Sequence, residues 1–256
     1  MSAGAMATGR PLLLLPLLLL LAACVSTGGN NGRIGPADPD EAARLYVELG
    51  FGYLKQDRLE IAEEKFARAL ELDPRRAAAM FGQGLVRHRQ GRTVEGRKAV
   101  DRATRYIGDD EPLRRSVADW YCRVGAVDAA QEVLAPALRR EEADAVLLLG
   151  RCLAANGQRE AGETLLLEAL REQPQSGRLL LGIAAMAAEQ QDWLRAQAFL
   201  RRYEGVAPAT SSSALLGLRI ARALDDDAAE AAYLRLLERL KPGSSQKLRA
   251  PEAPRS

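Results

Sequence analysis

Residues 43–76 read ARLYVELGFGYLKQDRLEIAEEKFARALELDPRR and decide the fold. The same 34-residue frame continues through residues 77–110, 143–176 and 177–210, and residues 111–142 follow it with two residues fewer. Self-similarity at such a period is typical of proteins in which each repeat is one supersecondary unit packed on its neighbours. The chain therefore predicts a series of stacked units, numbered here from unit 1 to unit 5.

Two positions of the frame carry only small residues in all five units. The eighth position holds Gly50, Gly84, Ala118, Gly150 and Ala184, and the twentieth holds Ala62, Gly96, Ala130, Gly162 and Ala196. Small side chains let two helices approach closely, because a larger group would force their axes apart. We therefore expect the first helix of each unit to contact the second helix at these two positions.

The first unit resembles the tetratricopeptide repeat at all eight signature positions. Those positions hold Tyr46, Leu49, Gly50, Tyr53, Ala62, Phe66, Ala69 and Pro74. A sixth, degenerate pair follows at 211–242, with helices predicted over 213–224 and 228–240 and a turn at 225–227. The resemblance implies an all-α fold, a right-handed α-solenoid of six helix pairs.

The first 23 residues read as a leader. The apolar run over 12–23 is shorter than the roughly 20 residues of a membrane-spanning helix, and Pro16 interrupts it. The ending Leu21-Ala22-Ala23-Cys24 resembles the lipobox of bacterial lipoproteins, which implies lipid attachment at Cys24 and anchoring to a bilayer. Val25 follows where an aspartate would retain such a protein in the inner membrane, so the outer membrane is expected. The alternative is a secreted protein cut at this alanine-rich site.

Two segments flank the predicted solenoid. Residues 24–42 are rich in Gly, Asn, Ser and Pro, and we expect them to form a flexible tether between the lipid and the folded part. Residues 243–256 are mostly polar with two prolines, and we expect a disordered tail.

Composition argues against several classes of function. Lys plus Arg number 36 and Asp plus Glu number 34, so the dense cationic face of a nucleic-acid-binding protein is not expected. His88 is the only histidine, and a Ser-His-Asp or Cys-His centre would have to be built on it. No zinc-binding spacing of cysteines is present. We therefore predict a protein that is not an enzyme and that takes no cofactor, metal or small-molecule substrate.

Cys122 and Cys152 lie in adjacent units. A disulfide between them is possible in an oxidising periplasm. The repeat frame, however, directs Cys122 into the groove and Cys152 to one side. The sequence therefore favours two free thiols.

The surface lined by the first helices is the expected partner-binding surface, at frame positions two, five, nine, twelve and thirteen. Its apolar residues are concentrated in units 1 and 2, close to the anchor. The candidate partner-binding residues are Arg44, Val47, Phe51, Leu54, Lys55, Phe81, Leu85 and His88. The alternative is that these side chains pack within the repeats or under the tether.

The chain as a whole resembles the type IV pilus biogenesis and stability lipoproteins, the PilF/PilW family. The features that carry this resemblance are the lipobox, the tether, the well-formed first repeat, and a final unit with Leu215-Leu216-Gly217 and Lys241-Pro242-Gly243. The resemblance implies a pilotin on the periplasmic face of the outer membrane of a Gram-negative bacterium. Its partner would be the type IV pilus secretin, whose insertion and multimerisation it would promote. The alternative is a scaffold for another envelope assembly, such as peptidoglycan enzymes or β-barrel insertion.

Overall fold

The computed structural model describes residues 38–241. The predicted leader, the lipid-attachment residue Cys24, most of the tether and the predicted tail at 243–256 lie outside these residues. Twelve α-helices and no strand occur in the described part. In chain order the helices are α1 Pro39–Lys55, α2 Leu59–Leu72, α3 Ala77–Arg89, α4 Thr93–Thr104, α5 Glu111–Arg123, α6 Val127–Arg139, α7 Ala143–Ala155, α8 Arg159–Glu172, α9 Gly177–Glu189, α10 Trp193–Glu204, α11 Ser211–Ala223 and α12 Asp227–Leu240.

The helices form six consecutive hairpins, and each hairpin packs against the next, so the fold is the expected all-α tetratricopeptide solenoid. Odd-numbered helices are the first helices of the six units and even-numbered helices are the second helices. Neighbouring first helices also contact each other, as α5 and α7 do.

A three-residue turn joins the two helices of every unit, and its middle residue has a positive φ in all six. Glycine supplies this conformation at Gly91, Gly125 and Gly157, where the sequence predicts turns. Asp57, Gln191 and Asp225 adopt it in the other three units. Aspartate tolerates the left-handed region better than most residues do, whereas glutamine has no such advantage.

The predicted small-residue contacts are present. A Cβ atom on Gly162 would lie 2.5 Å from the carbonyl oxygen of Gly150, and one on Gly50 would lie 2.5 Å from the ring of Phe66. Ala118 and Ala130 of unit 3 are both completely buried. The close approach of the paired helices therefore depends on these positions, as the sequence indicates.

Helix α1 begins at Pro39, four residues before the predicted start of the solenoid at residue 43. Asp38 caps it, since its Oδ1 accepts a hydrogen bond from the backbone N–H of Asp40 at 3.1 Å. Proline suits the first turn of a helix because the missing N–H has no partner there. The expected tether boundary at residue 42 is therefore wrong: the folded part begins with the cap at Asp38.

Candidate partner-binding site

Three of the eight predicted partner-binding residues are core residues. Val47, Leu54 and Phe81 are each less than a tenth exposed. Val47 and Leu54 pack with Phe66, and Phe81 lies in the cluster that contains Trp120. Their assignment to an open surface is wrong, because the fifth position of units 1 and 2 and the twelfth position of unit 1 pack beneath neighbouring helices.

Three others are half-buried and contribute to packing. The Phe51 ring meets the Phe66 ring edge to face, with 5.0 Å between their centroids. His88 meets Trp120 in the same way at 5.7 Å. Leu85 packs at the edge of the same core. Each of these side chains offers only part of its surface to a partner.

The two charged residues of the set are exposed at α1. Arg44 pairs with Glu48 at 2.6 Å, four residues along the helix, and Lys55 lies in the last turn. Together with Phe51, Leu85 and His88 they leave a surface much less apolar than the sequence indicates. Their role in binding a partner stays a prediction.

A larger groove lies further along the solenoid, where the first helices α5, α7, α9 and α11 form its walls. Its volume is about 750 Å³. Its floor is apolar and consists of Leu147, Leu148, Leu181, Gly182, Ala185, Met186 and Leu216. We call it the central groove, and its apolar lining is of the kind that binds a peptide segment in a groove.

Charged side chains border the central groove. Asp144 accepts a hydrogen bond from Arg115 at 2.6 Å and another from Arg178. Arg151 and Glu189, by contrast, are exposed and have no hydrogen-bond or ion-pair partner among residues 38–241. They are available to groups of opposite charge on a bound partner, so the groove combines an apolar floor with unpaired charges of both signs.

Cys122 and Cys152 form a disulfide, with their Cα atoms 5.2 Å apart. The sequence-based preference for free thiols is wrong. That preference placed Cys152 off to one side, but Cys152 holds the tenth position of its first helix, a position that is buried in every unit from 2 to 6. Cys152 on α7 therefore faces Cys122 on α5.

The disulfide also lies on the same side of the molecule as the central groove. A second hollow of about 380 Å³ adjoins the central groove and is lined by both cysteines. Leu148, Arg151 and Met186 line both spaces. The bridge thus fixes α5 to α7 at the edge of the groove.

No cluster of three or more His, Cys, Asp or Glu side chains suited to a metal ion occurs within residues 38–241. Over the same residues, no helix combines the length and the apolar character needed to cross a bilayer.

One signal in the sequence indicates the central groove. The fifth position of the first helices is Val47 and Phe81 in units 1 and 2, but Arg115, Leu147 and Leu181 in units 3 to 5. The first two are buried and the other three line the groove. Sequence reasoning weighted apolar content alone and therefore placed the site in units 1 and 2.

Comparison with known families and proteins gives a consistent result. The tetratricopeptide repeat model matches residues 47–112 and 121–176. The type IV pilus assembly protein PilF of Pseudomonas aeruginosa is 26% identical over 251 residues, which are 93% of this chain and 96% of that protein.

Two solved structures are similar to this chain. A structure described as a functional characterisation of Pseudomonas aeruginosa PilF has 21% identity and a TM-score of 0.49, and covers 82% of this chain and 97% of its own. The crystal structure of PilW, described as a widely conserved type IV pilus biogenesis factor, has 20% identity and a TM-score of 0.47, with 80% and 98% covered.

Proposed function

We propose that this chain is a pilotin. The premise is that it is a tetratricopeptide repeat protein homologous to the type IV pilus assembly protein PilF. In this proposal it is an outer-membrane lipoprotein that faces the periplasm, binds the type IV pilus secretin, and promotes its localisation and multimerisation. The protein makes and breaks no covalent bond.

The observation that carries the proposal is the extent of the homology. It spans nearly the full length of both proteins, whereas the cellulose synthase operon protein C of Komagataeibacter xylinus aligns over only 14% of its own length. A shared repeat signature explains a partial alignment of that kind. An alignment from end to end supports a role in type IV pilus assembly.

The lipid anchor is supported by the Leu21-Ala22-Ala23-Cys24 sequence, and the compartment by the disulfide. Structural disulfides persist in oxidising compartments such as the periplasm and are rare in the cytosol. A lipid anchor would also concentrate the solenoid at the bilayer, so that a secretin subunit bound to it stays near the membrane that it must enter.

We place the secretin contact on the side of the first helices, with its main anchor in the central groove. The floor residues Leu148, Leu181 and Leu216 are partly exposed, and Arg151 and Glu189 are unpaired within the described residues. A few apolar anchors in a pocket supply most of the free energy of a typical protein interface. Arg44, Phe51, Lys55, Leu85 and His88 would extend this surface towards the membrane anchor.

Cofactors, small-molecule substrates and nucleic acids have no part in the proposal. His88, on which a histidine-based reaction would have to depend, packs against Trp120. The competing proposal is a scaffold for another envelope assembly, which would bring peptidoglycan enzymes or β-barrel insertion factors to the same surface.

Gene deletion with complementation tests the proposal. We expect secretin monomers to accumulate and pili to be lost, and the wild-type gene to restore both. Leu181→Glu with Arg151→Glu should fail to restore them. Arg171→Glu, an exposed change on α8 outside the groove, should restore them fully. Normal secretin rings in the deletion strain would reject the pilotin role.

A further inference from the structure

Exposed leucines lie at both ends of the described solenoid. Leu45 and Leu49 on α1 are 47% and 48% exposed, and Leu215 on α11 and Leu234 on α12 are 56% and 43% exposed. The junctions between the units of this chain show what such residues contact.

The first half of a junction consists of the third, seventh and tenth positions of a first helix. In units 2 to 6 these positions are buried without exception. They hold Ala79, Gln83, Val86, Leu113, Val117, Trp120, Ala145, Leu149, Cys152, Leu179, Ile183, Met186, Ser213, Gly217 and Ile220. In unit 1 they hold Leu45, Leu49 and Gly52, and a Cβ atom on Gly52 would meet nothing within 4 Å. The difference arises because no unit precedes α1 in the described residues.

The second half consists of the fifth and twenty-fourth positions of the preceding unit. A Cβ atom on Gly82, at the sixth position of unit 2, would collide with Phe66, which holds the twenty-fourth position of unit 1. One on Gly182, at the sixth position of unit 5, would collide with Leu147, which holds the fifth position of unit 4. These two positions therefore face the first helix of the following unit.

In unit 6 these same two positions hold Leu215 and Leu234. The twenty-fourth position is almost fully buried in units 1 to 5, at Phe66, Val100, Leu134, Leu166 and Leu200. Helix α12 has no buried residue at all, unlike the other helices of the described part. The carboxy-terminal end thus presents the surface on which a further first helix would stack.

We infer that a second copy of this chain supplies that helix, so that copies associate head to tail. Helix α1 of one copy would stack on α11 and α12 of the next and continue the interface that already joins units within the chain. Leu45 and Leu49 would cover Leu234 and part of Leu215, so that less of all four side chains is exposed to water. Such a contact joins unlike surfaces, and it forms rows of molecules unless the rotation between copies closes a ring.

Sedimentation velocity of the purified full chain, in a mild detergent and over a wide range of concentrations, tests the inference. The wild type should form dimers and larger species as concentration rises. Leu49→Glu and Leu234→Glu should each weaken self-association by about tenfold or more, because a buried unpaired carboxylate is costly. Leu194→Glu is the matched control, because Leu194 lies on α10, away from both end units, and is 71% exposed. This variant should associate like the wild type.

Mixing the two variants distinguishes head-to-tail association from contact between like ends. Leu49→Glu retains an intact carboxy-terminal end and Leu234→Glu an intact amino-terminal end, so their mixture should form dimers and nothing larger. A wild type that stays monomeric would overturn the inference. So would association that one variant abolishes and the other leaves intact, since that result identifies contact between like ends. Unchanged helical circular dichroism in both variants would exclude unfolding as the cause.

Discussion

Gly84 and Gly96 hold α3 and α4 in backbone contact: a Cβ atom on Gly96 would lie 2.8 Å from the carbonyl oxygen of Gly84. The atom that blocks a side chain here belongs to the backbone and cannot rotate away. Gly150 and Gly162 make the same contact in unit 4, and the eighth and twentieth positions hold Gly or Ala in all of the first five units. The spacing of the two helices in a unit is therefore set by the smallest residues of the sequence.

Gly96→Ala should lower the free energy of unfolding by about 1–3 kcal/mol, the range for forcing extra atoms into a packed interior. Gly52→Ala is the matched control, because the added Cβ meets nothing within 4 Å in the middle of α1. It should raise stability by about 0.5–1 kcal/mol through helix propensity. Urea denaturation of both variants measures the difference, and equal effects would contradict the close contact.

The disulfide should contribute about 2–4 kcal/mol to stability, the usual range for a native bridge. Reduction of the wild type, or Cys122→Ser with Cys152→Ser, should lower the urea midpoint accordingly. The double variant should no longer respond to reductant, which separates the bridge from other effects of reduction. Alkylation of both cysteines in the unreduced, folded protein, detected by peptide mass spectrometry, would show that the thiols are free.

Gln191 occupies a left-handed backbone conformation, with φ of 62°, that glycine adopts without strain. Gln191→Gly should therefore stabilise the protein by about 0.5–1 kcal/mol. Gln190→Gly provides the comparison, since Gln190 has a φ of −83° and glycine offers no relief there. Thermal unfolding of the pair should move in opposite directions, and a loss of stability in both would contradict the strain at Gln191.

Two phenols, the buried Tyr121 and the partly buried Tyr233, should make the fold sensitive to high pH. Burial, together with hydrogen bonds to Asp101 and Glu204, raises the pKa of Tyr121 and of Tyr233 above the ordinary value of 10.0. Above pH 10 the unfolded chain loses these protons while the folded chain keeps them, so the free energy of unfolding falls as pH rises.

The slope of that fall is about 1.4 kcal/mol per pH unit for each phenol at most. Tyr121→Phe with Tyr233→Phe should flatten the stability curve between pH 9 and pH 11 relative to the wild type. Urea denaturation across this range makes the comparison. Parallel curves for the two proteins would mean that neither phenol is held neutral by the fold.

Local sequence rules account for most of the fold and for little of the candidate site. The small residues at Gly84 and Gly96 and the turn at Gly157 follow from what two close helices and a positive φ require. The burial of Val47 and Phe81 and the pairing of Cys122 with Cys152 do not. They depend on how one unit packs on the next, through contacts between side chains distant in sequence, such as Trp120 of α5 and His88 of α3.

Photo-cross-linking in living cells from a benzophenone amino acid at position 181, in the floor of the central groove, tests the pilotin role most directly. We expect capture of the type IV pilus secretin from position 181, with no capture from position 171 on the outer helix α8. Capture of a peptidoglycan enzyme or a β-barrel insertion factor from position 181, or equal capture of the secretin from both positions, would contradict it.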